Sequence, residues 1–307
     1  MRDAMCVLLM LVPLAFAQQP SQSPTPASGS PEDLVQQGEK LSRAGKQDEA
    51  LVLYRKALEK APKLYQAHFA AGVALDLKGD YSQAQLHFAQ ALEVAPPDLM
   101  DQTMRGLAIS RAFEGDVKPA ANQETQVYNA RLAKQDWIGA AETCNELARI
   151  FLETGDPDDG YKWYKLGYNT ALRKPDLTDA DKNLWLFRWE NAQARIAARR
   201  RQVSEAQQHV AAAKAALDKA NNPDQARFWP YLLGYVAFYM GDYKAAIADL
   251  EEADQHDPFI LVLLGQAYDK SGDAEHAKEY YRKVLEINIH NPTNAFARPL
   301  AKKKLGM

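Results

Sequence analysis

Small, apolar and aromatic positions recur along this chain in a fixed order. A glycine is followed by a second glycine seven positions on, an alanine at twelve, an aromatic residue or leucine at sixteen and a small residue at nineteen. The series runs Gly38, Gly45, Ala50, Tyr54, Ala57, then Gly72, Gly79, Ala84, Phe88, Ala91, with the two copies 34 residues apart. It returns as Gly234, Gly241, Ala246, Leu250, Ala253 and as Gly265, Gly272, Ala277, Tyr281, Val284. Each copy predicts two antiparallel helices, and a fixed period of this size signals a stacked repeat array. No stretch sustains the β-branched alternation of a strand, so strands are not expected.

The residue types follow from what such a pair must do. Gly45 and Gly79 end the first helix, where a left-handed conformation costs glycine nothing. Gly38 with Ala50, and Gly72 with Ala84, are expected to form the close crossing. Tyr54, Phe88 and Tyr281 fill the space between helices, while Asp80, Asp242 and Asp273 stand where the N-cap of the second helix falls. Pro62, Pro96 and Pro258 follow the second helix and resist its continuation. This order of small, large, glycine, aromatic, alanine and proline resembles the tetratricopeptide repeat family, strongly over residues 31–98 and 227–290.

Between those blocks, residues 99–220 keep only part of the pattern: Gly115 and Ala120, then Ala148, Gly155, Gly160 and Tyr164, then Ala194, Val203, Ala206 and Ala213. Arg201 stands where the fifth turn glycine belongs. The resemblance implies an all-α, right-handed superhelical solenoid over residues 32–305, with about seven antiparallel hairpins and a C-terminal capping helix near Asn294–Leu305. Lys302, Lys303 and Lys304 suit that helix to a solvated cap on the last repeat. The longer loop around residues 173–183 is expected to divide the stack into two lobes.

The N-terminus reads differently. Residues 6–17, CVLLMLVPLAFA, form an apolar run ending in an A-x-A site, so residues 1–17 read as a signal peptide cleaved after Ala17. Arg2 is offset by Asp3, which leaves an uncleaved N-terminal anchor open. Residues 18–31 are rich in proline, serine and glutamine and read as a disordered linker. Export to a bacterial envelope, periplasmic or extracellular, is the expectation. Cleavage would leave Cys144 as the one cysteine, so no intramolecular disulfide is expected, and its apolar helical setting reads as a core thiol.

A net charge of −3 over 307 residues argues for neither a nucleic-acid nor a membrane-surface partner. No second apolar stretch is long enough to span a bilayer. Phosphate-loop, nucleophile-elbow, zinc-protease and dinucleotide motifs are all missing. The six histidines are scattered. No catalytic, cofactor or metal site is expected, and the fold points to a non-enzymatic scaffold for a protein or peptide.

In tetratricopeptide arrays the first helix of each pair lines a concave groove, and the resemblance carries that rule onto this chain. It implies groove positions at Val35, Glu39 and Ser42, at Phe69, Val73 and Asp76, at Asn145, Arg149 and Leu152, and at Val262, Gln266 and Asp269. Arg188, Asn191, Arg195 and Arg199 form one helical stripe, and Tyr231, Tyr235 and Phe238 form an aromatic one beside it. Arginine forks beside aromatic faces suit a peptide carboxylate, an acidic side chain or an extended segment. These seven residues are the candidate peptide-binding set. The lysine and asparagine positions that hold chaperone tails in some family members are not matched in the first two repeats. A rival reading makes the chain an accessory subunit of a cell-envelope enzyme or of polysaccharide or peptidoglycan machinery, with Trp185 and Trp189 as sugar platforms.

Overall fold

A computed structural model describes residues 29–307; the expected leader and residues 18–28 of the expected linker lie outside the described residues. Within them the chain forms sixteen helices and no strand. Seven hairpins follow one another. They are α1 (Pro31–Arg43) with α2 (Gln47–Lys60), α3 (Tyr65–Lys78) with α4 (Tyr81–Val94), and α5 (Met100–Glu114) with α6 (Val117–Ala133). Next come α7 (Trp137–Glu153) with α8 (Pro157–Ala171) and α9 (Asp179–Arg199) with α10 (Val203–Ala220). After the short α11 (Pro223–Ala226), α12 (Trp229–Met240) pairs with α13 (Tyr243–Glu251) and α14 (Pro258–Ser271) with α15 (Ala274–Glu286). α16 (Pro292–Leu305) ends the chain.

The repeated residues act locally much as their spacing implies. The side chains of Asp80, Asp242 and Asp273 accept hydrogen bonds from the first-turn N–H groups of α4, α13 and α15. At the close crossing the glycine serves the aromatic residue. Gly38 makes room for the Tyr54 ring, because a Cβ there would lie 2.4 Å from Tyr54 Cε1. The glycine and the aromatic therefore form one packing unit, and Ala50 is fully buried.

The stack does not break after α8. Ala148, Leu152, Tyr164, Ala192 and Ile196 share one buried cluster across α7, α8 and α9, and Tyr168 stacks on Trp189. The expected division into two lobes at residues 173–183 is therefore overturned. The longer loop simply spans to a long α9 whose start is capped by Thr178, its hydroxyl accepting from Asp181 N.

The larger departure is α16. It caps the last hairpin, packing on α14 and α15 with Lys303 and Lys304 exposed, but Ala295, Ala297, Arg298 and Ala301 are buried and the helix also packs on α5 and α7. Arg298 Nε donates to the Leu77 carbonyl at 2.7 Å, and Lys302 Nζ donates to the Lys78 carbonyl. Just before the helix, His290 Nε2 lies 2.8 Å from Asp76 Oδ2, whose other oxygen accepts from the Ser110 hydroxyl. Burial lifts the Asp76 carboxyl above its usual range, although His290 and Ser110 pull it back. The concave interior of the second and third hairpins is thus filled by the chain's own C-terminal segment.

Candidate ligand pocket

Asp76, one of the implied groove positions, is bound by His290, and Asp269, another, is held by the Tyr281 hydroxyl and Lys304. Val35 and Val262 are buried in the apolar core. Beside the first turn of α16 lies a pocket of about 400 Å³. Its walls come from Arg105 on α5, from Asn145, Glu146 and Arg149 on α7, and from Phe187, Arg188, Asn191 and Arg195 on α9. Tyr164 of α8, Gln225 of α11, Phe228 and Tyr231 of the α12 region and Asn291, Pro292 and Thr293 at the start of α16 complete it.

Of the seven candidate residues, Arg188, Asn191, Arg195 and Tyr231 reach this pocket. Arg199 and Tyr235 lie deeper. Arg199 pairs with Glu153, its Nε donates to the Tyr235 hydroxyl at 2.8 Å, and that hydroxyl donates to Glu153 Oε1 at 3.2 Å. The Glu153 side chain is 3% exposed. Burial, then the Glu153 charge, pushes the Tyr235 hydroxyl well above its usual range, so it stays a neutral donor. This is a structural network joining α7, α9 and α12. Arg199 borders a second cavity of about 690 Å³ on its far side, between α5, α7, α14 and α16. Phe238 lines neither cavity; it packs against Tyr239 and Tyr243.

The four pocket arginines differ in what they already hold. Arg105 gives Nε and Nη2 to the two oxygens of Glu146 at 2.7 and 2.6 Å. Arg195 donates to Asn191 Oδ1 at 3.0 Å and to the Tyr164 hydroxyl at 2.9 Å, with its guanidinium 5.7 Å from the Tyr235 ring centre. Arg188 lies over Trp185 and comes no nearer than 3.9 Å to Glu142. Arg149 lies 4.8 Å from the Phe259 ring centre and 5.8 Å from that of Tyr231, and its Nε and Nη2 are buried without any acceptor. Such guanidinium–ring contacts contribute about 2 kcal/mol when desolvated, but they leave the N–H groups unsatisfied.

Arg105, Glu146 and residues 291–293 were not singled out from the sequence. Their place in the wall depends on α16 crossing the interior, which no local spacing encodes. The sugar-platform tryptophans are packing residues instead: Trp185 is buried against Ala141 and Ala171, and Trp189 lies against Tyr161 and Tyr168. Cys144 is fully buried, and burial pushes its thiol up to about 12, which makes it an inert core thiol.

With this geometry in hand, the family resemblance can be located. Residues 65–98, 231–259 and 260–288 match the tetratricopeptide repeat family, so the chain carries repeats of that class in its second, sixth and seventh hairpins. Among solved structures it is similar to a tetratricopeptide repeat protein from Parabacteroides merdae, with 15% identity, 90% of this chain and 97% of that one covered, and a TM-score of 0.54. It is also similar to the apo form of RapI, with 12% identity, 90% and 98% coverage and a TM-score of 0.57. No curated protein matches the sequence. Identities this low carry the all-helical repeat fold and nothing finer. Among the described residues, no helix is long and apolar enough to cross a membrane.

Proposed function

We propose that this chain is an exported, non-enzymatic interaction scaffold that takes a short segment of a partner protein into its arginine–aromatic pocket. The repeats in the array are of a kind that works by presenting a surface. The observation that carries the reading is the convergence of four arginines and four phenylalanine or tyrosine side chains from several helices on one concave pocket. Its volume of about 400 Å³ suits a few residues of a partner and not a long extended stretch. α16 occupies the interior where such a stretch would otherwise run.

Peptide display against the full chain tests the docking site. Selected peptides should bind the native protein and lose binding to Asn145→Trp, which fills the pocket from its α7 wall. Equal binding to both proteins would place the docking surface elsewhere. Export rests on the apolar run and the A-x-A site at residues 15–17. Mass spectrometry of the protein from its native host should find Gln18 as the mature N-terminus, whereas an intact Met1 would indicate an anchored or unexported form.

A further inference from the structure

We propose that the group this pocket recognises is a carboxylate, anchored on Arg149; the proposal rests on the reading of the pocket as the docking site. Arg149 makes no hydrogen bond or ion pair among the described residues, and two of its three nitrogens are shut away from water. A buried donor without an acceptor forfeits its hydration and gains nothing in return, more so when it is charged. Its neighbours cannot relieve it. The Glu146 carboxylate is engaged by both donors of Arg105, and Arg195 is spent on Asn191 and Tyr164. An incoming acceptor supplies what the protein itself does not.

The same wall shows the form that acceptor takes. Arg105 meets Glu146 through Nε and Nη2, the two nitrogens that stand empty on Arg149. This side-on fork matches the two oxygens of a carboxylate. The Tyr231 hydroxyl, also buried without a partner, lies on the same pocket and offers a further donor. The first turn of α16 faces the pocket, so the positive end of a fourteen-residue helix adds to the preference for an anion.

Shape separates a carboxylate from a phosphate, because a side-on fork offers two donors to two oxygens. Arg105 is neutralised by Glu146, but Arg195 is hydrogen-bonded only to neutral groups and Arg188 lies 3.9 Å from Glu142, so the pocket is cationic as a whole and Arg149 is the guanidinium whose buried donors have no acceptor. A phosphate monoester brings a third acceptor oxygen and would leave it against aromatic walls. Phe187 and Phe228, which also line the pocket, call for an apolar group beside the carboxylate.

Titration calorimetry with 3-phenylpropionate, its amide and phenyl phosphate tests this directly on the full chain. The acid should bind, with the amide and the phosphate at least tenfold weaker. Arg149→Met should weaken the acid about 100-fold and Arg149→Lys about tenfold, since lysine keeps the charge but loses the fork. Circular dichroism establishes that each variant is folded; if the methionine variant is not, the lysine variant decides. Equal binding of the amide or the phosphate, or undiminished binding by a folded variant, overturns the proposal.

The display-selected peptides then identify the source of the carboxylate. Loss of binding on amidating the C-terminus assigns it to a chain end, and loss on Glu→Gln or Asp→Asn assigns it to a side chain. Peptides that lose neither, yet still need the open pocket, sink the carboxylate and leave the docking site standing. A screen that yields no pocket-dependent peptide, with no acid bound, removes both.

Discussion

Arg201 shows what one residue can be made to do by its neighbours. Six hairpin turns place a glycine at positive φ, namely Gly45, Gly79, Gly115, Gly155, Gly241 and Gly272, and the seventh places Arg201 there at φ 58°. The fold therefore keeps the turn although the glycine is gone. A left-handed conformation costs a side-chain-bearing residue about 1–2 kcal/mol, and packing of α9 on α10 absorbs it. Arg201→Gly should raise stability by about 0.5–1 kcal/mol in urea unfolding, with part of the relief offset by a freer unfolded chain. An unchanged or lower midpoint would mean that the arginine makes up for its own strain. The sequence marked this position as a departure, and the structure shows that the departure is chemical and not conformational. The arginine and tyrosine stripes ran the other way. Spacing shows which residues share a helix face, but not that Glu153, 46 residues from Arg199, stands opposite to neutralise it.

At the scale of elements, the hairpins were readable because each is specified within a few dozen residues, by a left-handed turn residue and, in the strict repeats, by a glycine that makes room for a large side chain. The eroded third to fifth pairs still fold because they retain that short-range grammar, as Gly115 and Gly155 at their turns show. What could not be read is the company each helix keeps across the interior. Glu124 on α6 is an example: it is fully buried, and neither carboxyl oxygen has a hydrogen-bond partner. Burial, reinforced by the nearby Glu146, pushes its carboxyl up to about 8 from an ordinary 4.5. A folded value above the unfolded one means that the folded state holds the proton longer. The neutral acid is fully tolerated below about pH 4.5, and stability is lost as pH rises from there through about 8. Glu124→Met should therefore flatten that decline and, at pH 8, gain on the order of 2 kcal/mol over the native chain. Denaturant unfolding at pH 5 and pH 8 checks it; a gain that does not grow with pH would assign the effect to packing and not to ionisation.

For the whole molecule, the decisive contact joins residues more than two hundred positions apart. Arg298 Nε donates to the Leu77 carbonyl, and Nη1 donates to the carbonyls of Leu285 and Ile287 at 3.0 and 3.2 Å, so one buried guanidinium ties the second hairpin to the last. A repeat array has only neighbour contacts by default and opens from its ends; this tie makes opening at either end cost contacts at both. Arg298→Met should destabilise the protein by about 2–3 kcal/mol, as expected for lost hydrogen bonds to a charged group. Hydrogen exchange should quicken around residues 76–79 together with 285–301. If only the C-terminal amides respond, α16 does not hold the first hairpins in place. The same helix begins at the pocket, where Asn291, Pro292 and Thr293 form one wall. Docking of α16 and occupancy of the pocket are therefore linked, and the coupling must run both ways. Arg298→Met, which touches no ligand, should weaken binding of 3-phenylpropionate, and the ligand in turn should slow exchange of the amides at Lys78 and Gly79. Were the ligand to protect only amides lining the pocket, the tie and the pocket would be independent features of one interior.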